Sequence, residues 1–166
     1  FRNGIPDIYA RRVDASGAPQ WTDDGVALCD DAGDQQQPAI VADGAGGAIV
    51  TWHDDRNGPT DIYAQQVSAA GVPQWTADGV VLCAAANEQL YPTIVSDGAG
   101  GAIVTWYDDR TGPFARDIFA QRVDAPGSPQ WTDDGVAICD DASDLQYPTI
   151  VSDGAGGAIL AWDDYR

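Results

Sequence analysis

The chain has no lysine and no methionine, and it contains one histidine, His53, and one glutamate, Glu88. Enzymes draw their general acids and bases mainly from His, Glu, Asp and Lys. No nucleophile-elbow or zinc-ligand spacing is present either. This inventory predicts that the protein is not an enzyme.

Positive charge is also scarce, because the only basic residues besides His53 are eight arginines, against 26 acidic residues, for a net charge of -18. Such a surface repels phosphate, so neither nucleic acid nor an anionic membrane is expected as a partner. No apolar run approaches the roughly 20 residues that a membrane helix needs, which predicts no membrane insertion. The 44% hydrophobic content of 166 residues is nevertheless enough for one folded domain.

What the chain does contain is a repeat. An ungapped 50-residue unit occurs at residues 7–56, 61–110 and 117–166, and 28 of its positions are identical in all three copies. A period of this length is typical of propeller and solenoid architectures. The single cysteine of each unit (Cys29, Cys83, Cys139) recurs at the same position, so we predict three small core residues rather than a disulfide framework.

Each unit predicts four short strands and no helix. In the middle copy these are DIYAQQV, then GVVLC, then YPTIVSD and AIVTW, the last two joined by the glycine turn GAGG. Four antiparallel strands per repeat is the content of a β-propeller blade. With PTIV innermost, AIVTW second, DIYA third and GVVLC outermost, the blades are residues 38–83, residues 92–139, and residues 148–166 completed by residues 1–29.

Three blades are fewer than the four to eight that close a propeller. We therefore expect a homodimer that forms a six-bladed ring, or a fragment of a longer array. The alternative fold is a β-trefoil, which also has three repeats of four strands and would be monomeric.

The string YPTIVSDGAGGAIVTWYDDR, followed by DIFAQRVDAPGSPQWTDDGVAIC, resembles the tandem β-propeller repeats of large secreted bacterial proteins. The hairpin SDGAGGAIVTW is similar to a relaxed Asp-box, the structural hairpin of sialidase-type propellers, with a longer turn and a wider spacing to the tryptophan. The resemblance implies an extracellular or cell-surface bacterial protein, with Phe1 opening a mature or excised piece. It implies an architecture and no particular activity.

Loops that differ between the copies indicate a candidate binding rim. Its aromatic and amide residues suit sugar hydroxyls, and its carboxylates and arginines are read alternatively as ion pairs. Tryptophans at the end of the second strand could stack on a ligand, although repeated tryptophans more often pack between sheets. The candidates are Gln36, Gln89, Tyr91, Gln146, Tyr147, Asp54, Asp108, Arg56, Arg110, Trp52, Trp106 and Trp162.

Two further kinds of site receive little support. Calcium is conceivable where acids crowd one loop, at Asp30, Asp31 and Asp34 and again at Asp140, Asp141 and Asp144, but the middle copy reads AAANE there. We therefore predict no cofactor. His53 corresponds to Tyr107 and Asp163 in the other copies, which predicts an exposed variable position.

The leading functional hypothesis is a non-catalytic binding or scaffolding module of an exported protein. A glycan-binding lectin with sites between blades is the alternative. A glycoside hydrolase remnant, of which Glu88 and Tyr91 would be a fragment, is a third possibility.

Overall fold

The computed structural model describes residues 4–112, 116–141 and 144–165, and its regular structure is entirely β. The all-β prediction is therefore confirmed. No helix in the described ranges has the length and apolarity to cross a membrane. The strands are β1 Ile8–Ala10, β2 Val26–Cys29, β3 Gln35–Ala42, β4 Ala48–Asp54, β5 Asp61–Val67, β6 Val80–Cys83, β7 Gln89–Ser96, β8 Ala102–Asp108, β9 Asp117–Val123, β10 Val136–Cys139, β11 Leu145–Ser152 and β12 Ala158–Asp164.

The strands form two complete sheets and two hairpins. Sheet I contains β3 to β6 and sheet II contains β7 to β10, each in sequential antiparallel order. The N-terminal hairpin is β1 with β2, and the C-terminal hairpin is β11 with β12. Each complete sheet thus joins two strands of one repeat to two strands of the next, in the strand order that the repeat predicts.

The two hairpins do not join each other within the chain. Among the described ladders, β12 pairs with β11 alone and β1 pairs with β2 alone. In the part of the chain that the structure describes, residues 148–165 therefore form no ladder with residues 4–29. Ladders between sequence neighbours also give no closed barrel and no closed ring of sheets in the described part of the chain.

The glycine turn that ends β3 is fixed by an aspartate. Asp43 Oδ1 accepts from the backbone N–H groups of Ala45, at 2.8 Å, and Gly47, at 2.9 Å. A Cβ at Gly47 would lie 2.2 Å from the carbonyl oxygen of Val67 in the adjacent strand, so no other residue fits. The same aspartate contacts recur at Asp97 and Asp153, which explains why this turn barely varies.

The core consists of three successive apolar layers. One lies between the N-terminal hairpin and sheet I, the second between sheets I and II, and the third between sheet II and the C-terminal hairpin. Cys29 and Cys83 are buried in the first two layers, which confirms them as core residues. Cys139 is half-buried, and all three thiols are free.

Candidate binding groove

A proline bulge interrupts the third strand of each repeat unit, that is β3, β7 and β11. Gln37, Tyr91 and Tyr147 precede Pro38, Pro92 and Pro148, and each adopts φ 53°. At each bulge, three steps along the strand that carries the proline correspond to two steps along its partner. In β3, for example, this occurs between Gln36 and Ala39. One extra residue is therefore accommodated, and proline is tolerated because it needs no ladder partner there.

The bulges bring the three strands together around a groove. The left-handed backbone conformation at each bulge costs on the order of 1–3 kcal/mol because the residue is not glycine. The packing around the bulge must therefore stabilise this conformation. Strand β7 lies between β3 and β11, and Thr93 Oγ1 donates to the Pro148 carbonyl at 3.3 Å. The groove has a volume of about 350 Å³ and is lined by Gln37, Pro38, Ala39, Tyr91, Pro92, Thr93, Tyr147 and Pro148.

Two tyrosine rings form the exposed wall of this groove. Tyr91 is 41% exposed and Tyr147 is 59% exposed. The Tyr91 ring is held edge-on against His53, with centroids 5.9 Å apart, and tilted against Tyr107, at 5.2 Å. Contacts with these two buried rings therefore hold the Tyr91 side chain in place beside the groove.

His53 is a supporting residue, and its prediction as an exposed variant is wrong. It is only 8% exposed, and its Nδ1 accepts from the Tyr91 backbone N–H at 3.4 Å. Burial lowers the pKa of His53 below its usual value, although Glu88, Asp54 and Asp55 act in the opposite direction. The neutral imidazole that results is the form that can accept this hydrogen bond.

Arg116 covers the other side of the aromatic cluster. Its guanidinium lies 5.1 Å from the Tyr107 ring centroid, and it forms ion pairs with Asp109, at 3.2 Å, and Asp144, at 3.6 Å. Burial raises the pKa of the Tyr107 hydroxyl above its usual value, so the ring stays neutral. The cation therefore stabilises the supporting cluster and is itself compensated by carboxylates.

Several predicted site residues lie in the interior instead. Trp52, Trp106, Gln89, Asp54 and Asp108 are each 0% exposed. Neither tryptophan has a free face for a ligand, so the stacking role proposed for them does not apply in this chain. The Gln89 amide donates to the Ala86 and Asn87 carbonyls and so stabilises the loop that precedes β7.

The predicted carboxylates and arginines form a structural lock. Asp54 accepts from Trp52 Nε1 at 2.9 Å and from Arg56 Nε at 2.9 Å, and Arg56 also donates to the Asp78 carbonyl at 3.0 Å. Burial acts to raise the pKa of Asp54, but the hydrogen bonds from Arg56 and Trp52 bring it below its usual value. Arg56 also reaches the Cys29 sulfur, so the lock fastens the N-terminal hairpin to sheet I.

The second copy repeats this lock in sheet II, where Arg110 also reaches the Cys83 sulfur of sheet I. Trp106 Nε1 and Arg110 Nε each donate to Asp108 at 2.9 Å, and Arg110 donates to the Asp134 carbonyl at 2.8 Å. Arg110 also lies 3.7 Å above the Phe119 ring centroid. The alternative reading of these charges as ion pairs describes their contacts: Arg56 pairs with Asp54 and Arg110 with Asp108, each within one segment of the chain, and both carboxylates are buried.

A second carboxylate faces each lock across the sheet. Asp61 is directly opposite Asp54 in the ladder between β4 and β5 and is 6% exposed. Burial, reinforced by the charges of Asp54 and Asp134, raises the pKa of Asp61 to about 6. Burial also raises the pKa of Asp117, which is opposite Asp108 in the ladder between β8 and β9.

The other predicted residues lie outside the groove lining. Gln36 is exposed and bonds Asp34 at 3.2 Å, and Gln146 is half-buried and bonds Asp144. Trp162 is half-buried in the C-terminal hairpin. Of the twelve candidates, the structure brings Tyr91 and Tyr147 together in one groove.

Sequence reasoning missed Gln37, His53, Tyr107 and Arg116. A signal for Gln37 existed, because it occupies the repeat position of Tyr91 and Tyr147, immediately before a proline within a strand. No comparable signal marks His53 and Tyr107, since their positions differ in every copy.

In the first acidic loop considered for calcium, two carboxylates are used in contacts within the protein. Asp31 accepts from Ala32 N–H and pairs with Arg56, and Asp34 accepts from Gln36. In the described ranges, no three His, Cys, Asp or Glu side chains form a group that could hold a metal ion. Residues 142 and 143 of the second acidic loop lie outside the described residues.

Neither the search with protein-family models nor the comparisons with curated proteins and with solved structures give a match to this chain.

Proposed function

We propose that the chain is a non-catalytic binding module of an exported bacterial protein, built from β-propeller blades, and that its groove binds a neutral saccharide. The observation that carries the proposal is the pair of exposed tyrosine rings, Tyr91 and Tyr147, at the groove lined by three successive repeats. Sugar rings stack on such aromatic faces while amides pair with their hydroxyls.

The propeller part of the proposal is supported by the arrangement of the sheets. Two four-stranded antiparallel sheets of identical strand order pack through successive apolar layers, as blades do. The hairpins on either side contribute the same packing surfaces as these sheets. The equivalent third strand of each repeat, β3, β7 and β11, lines the groove, and in a propeller this strand would be the innermost of its blade, at the central axis.

The character of the lining favours binding over catalysis. The described residues that line the groove include no carboxylate, histidine or cysteine. The single glutamate, Glu88, accepts from Thr60 Oγ1 at 2.6 Å and its carbonyl accepts from Asp109 N–H, both contacts between loops. The net charge of -18 also disfavours anionic sugars, so an uncharged oligosaccharide is the preferred class.

A glycan array followed by calorimetric titration of the best neutral oligosaccharide tests this proposal. Tyr91→Ala and Tyr147→Ala should each weaken binding about tenfold or more, because each removes a stacking face. Tyr165→Ala is the matched control, since that ring is 61% exposed and does not line the groove. Saturable binding that survives Tyr147→Ala, or an array without any neutral ligand, would contradict the proposal and favour a scaffolding role.

A further inference from the structure

Inside the chain, successive sheets contact each other through an interface that repeats. The two outer faces of the described chain each carry one side of that interface, and the two sides are complementary. This complementarity concerns a different surface from the groove and does not depend on any ligand. It is visible at three places: the tryptophan turns, the apolar faces and the strand edges.

The tryptophan turns give the first pair of halves. Trp21 covers Gly71 and donates Nε1–H to the Ala69 carbonyl at 3.1 Å, and Trp75 covers Gly127 and donates to the Ala125 carbonyl at 2.9 Å. A Cβ on either glycine would lie 2.7 Å from the indole ring, so each glycine is required by the ring above it.

The third tryptophan and the first glycine of this series lack such a contact. Trp131 is 37% exposed, and a Cβ added to Gly17 would meet nothing within 4 Å. By the repeat, Gly17 is the position of Gly71 and Gly127, and Trp131 is the position of Trp21 and Trp75. Gly17 lies in the N-terminal hairpin, and Trp131 lies in sheet II, which packs against the C-terminal hairpin.

The apolar faces give the second pair. Between sheets I and II, Ile49 and Val41 pack in one cluster with Ile94 of the next unit. The equivalent residues of the C-terminal hairpin, Ile159 and Val151, are 62% and 57% exposed. On sheet I, Ile40 takes the position of Ile94 and is 63% exposed. Burying these three residues would recreate the internal junction.

The strand edges give the third pair. In the complete sheets β4 pairs with β5, and β8 with β9, over seven residues each, with Trp52 opposite Tyr63 and Trp106 opposite Phe119. The equivalent strands, β12 and β1, have no such partner in the described ladders. Trp52 and Trp106 also cover Gly79 and Gly135, whereas Gly25, at the same position, has no tryptophan ring above it.

We infer that a second copy of this chain occupies these faces, so that β12 of one copy pairs with β1 of the other in a head-to-tail dimer. The register follows from the internal ladders: Ala158 opposite Val13, Ala161 opposite Ala10, Trp162 opposite Tyr9, and Asp164 opposite Asp7. Two such junctions close the assembly as a ring of six four-stranded sheets, within the range of known propellers.

A disulfide tests the register directly. In the double variant Ala10→Cys, Ala161→Cys the new thiols occupy directly opposed positions, and oxidation should link two chains twice into one covalent dimer. In the control, Arg11→Cys with Ala161→Cys, the thiols point to opposite faces of the strands and should not link. Equal cross-linking of both pairs, or of neither, would overturn the inferred pairing.

Sedimentation velocity tests the assembly without any cross-link. The unmodified chain should sediment at twice 17.4 kDa, or 34.8 kDa. Gly17→Ala places a methyl group against the partner's Trp131 and should raise the dissociation constant roughly 100-fold across two junctions. Gly98→Ala carries the same backbone strain, with φ 75° and nothing within 4 Å, and should leave the dimer intact. A monomer, or a mass that keeps growing with concentration, would overturn the inference.

Discussion

The complete sheets and the two hairpins have nearly the same sequence but very different burial. Ile49 and Ile103 are at most 1% exposed, whereas Ile159, at the same repeat position, is 62% exposed. Trp52 and Trp106 are fully buried, whereas Trp162 is half-buried. The core is therefore formed by the packing of each sheet against its neighbour and not by the sheet alone, as expected for repeat architectures.

The largest expected effect separates the buried tryptophans from the half-buried one. Trp106→Ala should lower the free energy of unfolding by about 3–5 kcal/mol at every protein concentration, because it leaves a large cavity inside sheet II. For Trp162→Ala, the loss of unfolding free energy should be smaller at low protein concentration than at high protein concentration, because in the proposed dimer a second copy covers the ring. Denaturant titrations at two protein concentrations measure both, and identical losses for the two variants would break the comparison.

The buried lock should be nearly as sensitive. Arg56→Gln leaves the 0% exposed Asp54 carboxylate without its counter-charge, which should cost about 3–5 kcal/mol of unfolding free energy. Arg11→Gln is the control, because its partner Asp23 is fully exposed, and it should cost at most about 1 kcal/mol. Chemical denaturation at pH 7 distinguishes them. Similar losses for both would mean that the lock has no special role.

Asp61 should destabilise the complete sheet as the pH rises. Its pKa is about 6 when folded, against an ordinary 3.8, so the folded chain holds a proton that the unfolded chain has released between those values. The free energy of unfolding therefore falls from pH 4 to pH 6 on account of this group, and its contribution is fully present only below that window.

Asp61→Asn removes this titration and keeps the shape of the side chain. At pH 7 the variant should be more stable than the parent by up to about 3 kcal/mol, and at pH 4 the two should be nearly equal. The difference between their denaturation free energies across this range isolates Asp61 from the other acids. A constant difference at all pH values would contradict the raised pKa.

The smallest effect concerns a hydroxyl that the third repeat lacks. Thr105 Oγ1 donates to the Phe119 carbonyl at 2.8 Å inside sheet II, and Ala161 is its counterpart in the C-terminal hairpin. Thr105→Ala should cost about 1 kcal/mol of unfolding free energy. Ala161→Thr should change the free energy of unfolding little. Thermal unfolding of both variants would show whether the effect depends on the hydroxyl itself or on the complete sheet around it.

The strands and their order could be predicted from the sequence because the three copies expose the periodicity directly. The glycine turn was equally readable, since Asp43 and Gly47 have roles that only those residues satisfy. The groove was readable in part, through the tyrosines that precede prolines. The support beneath it was not, because His53 and Tyr107 differ between copies and their burial is set by Tyr91 of a later strand.

The burial of Trp52 and Asp54 illustrates the opposite error. The loops beside them vary between copies, which suggested a surface rim. Asp54, however, is bonded by Arg56 of its own unit, and Trp52 lies against Gly79 of the following unit. Alternation along one strand indicates which residues share a face. It does not show whether another sheet covers that face, and this explains both the buried locks and the exposed Ile159.

Hydrogen–deuterium exchange along β12 tests directly whether a second copy completes each hairpin as β5 completes β4. At concentrations that favour the dimer, the peptide Ala158–Asp164 should be protected to the same degree as Ala48–Asp54 and Ala102–Asp108. Rapid exchange in β12, with β4 and β8 still protected, would show an open strand edge and contradict the account.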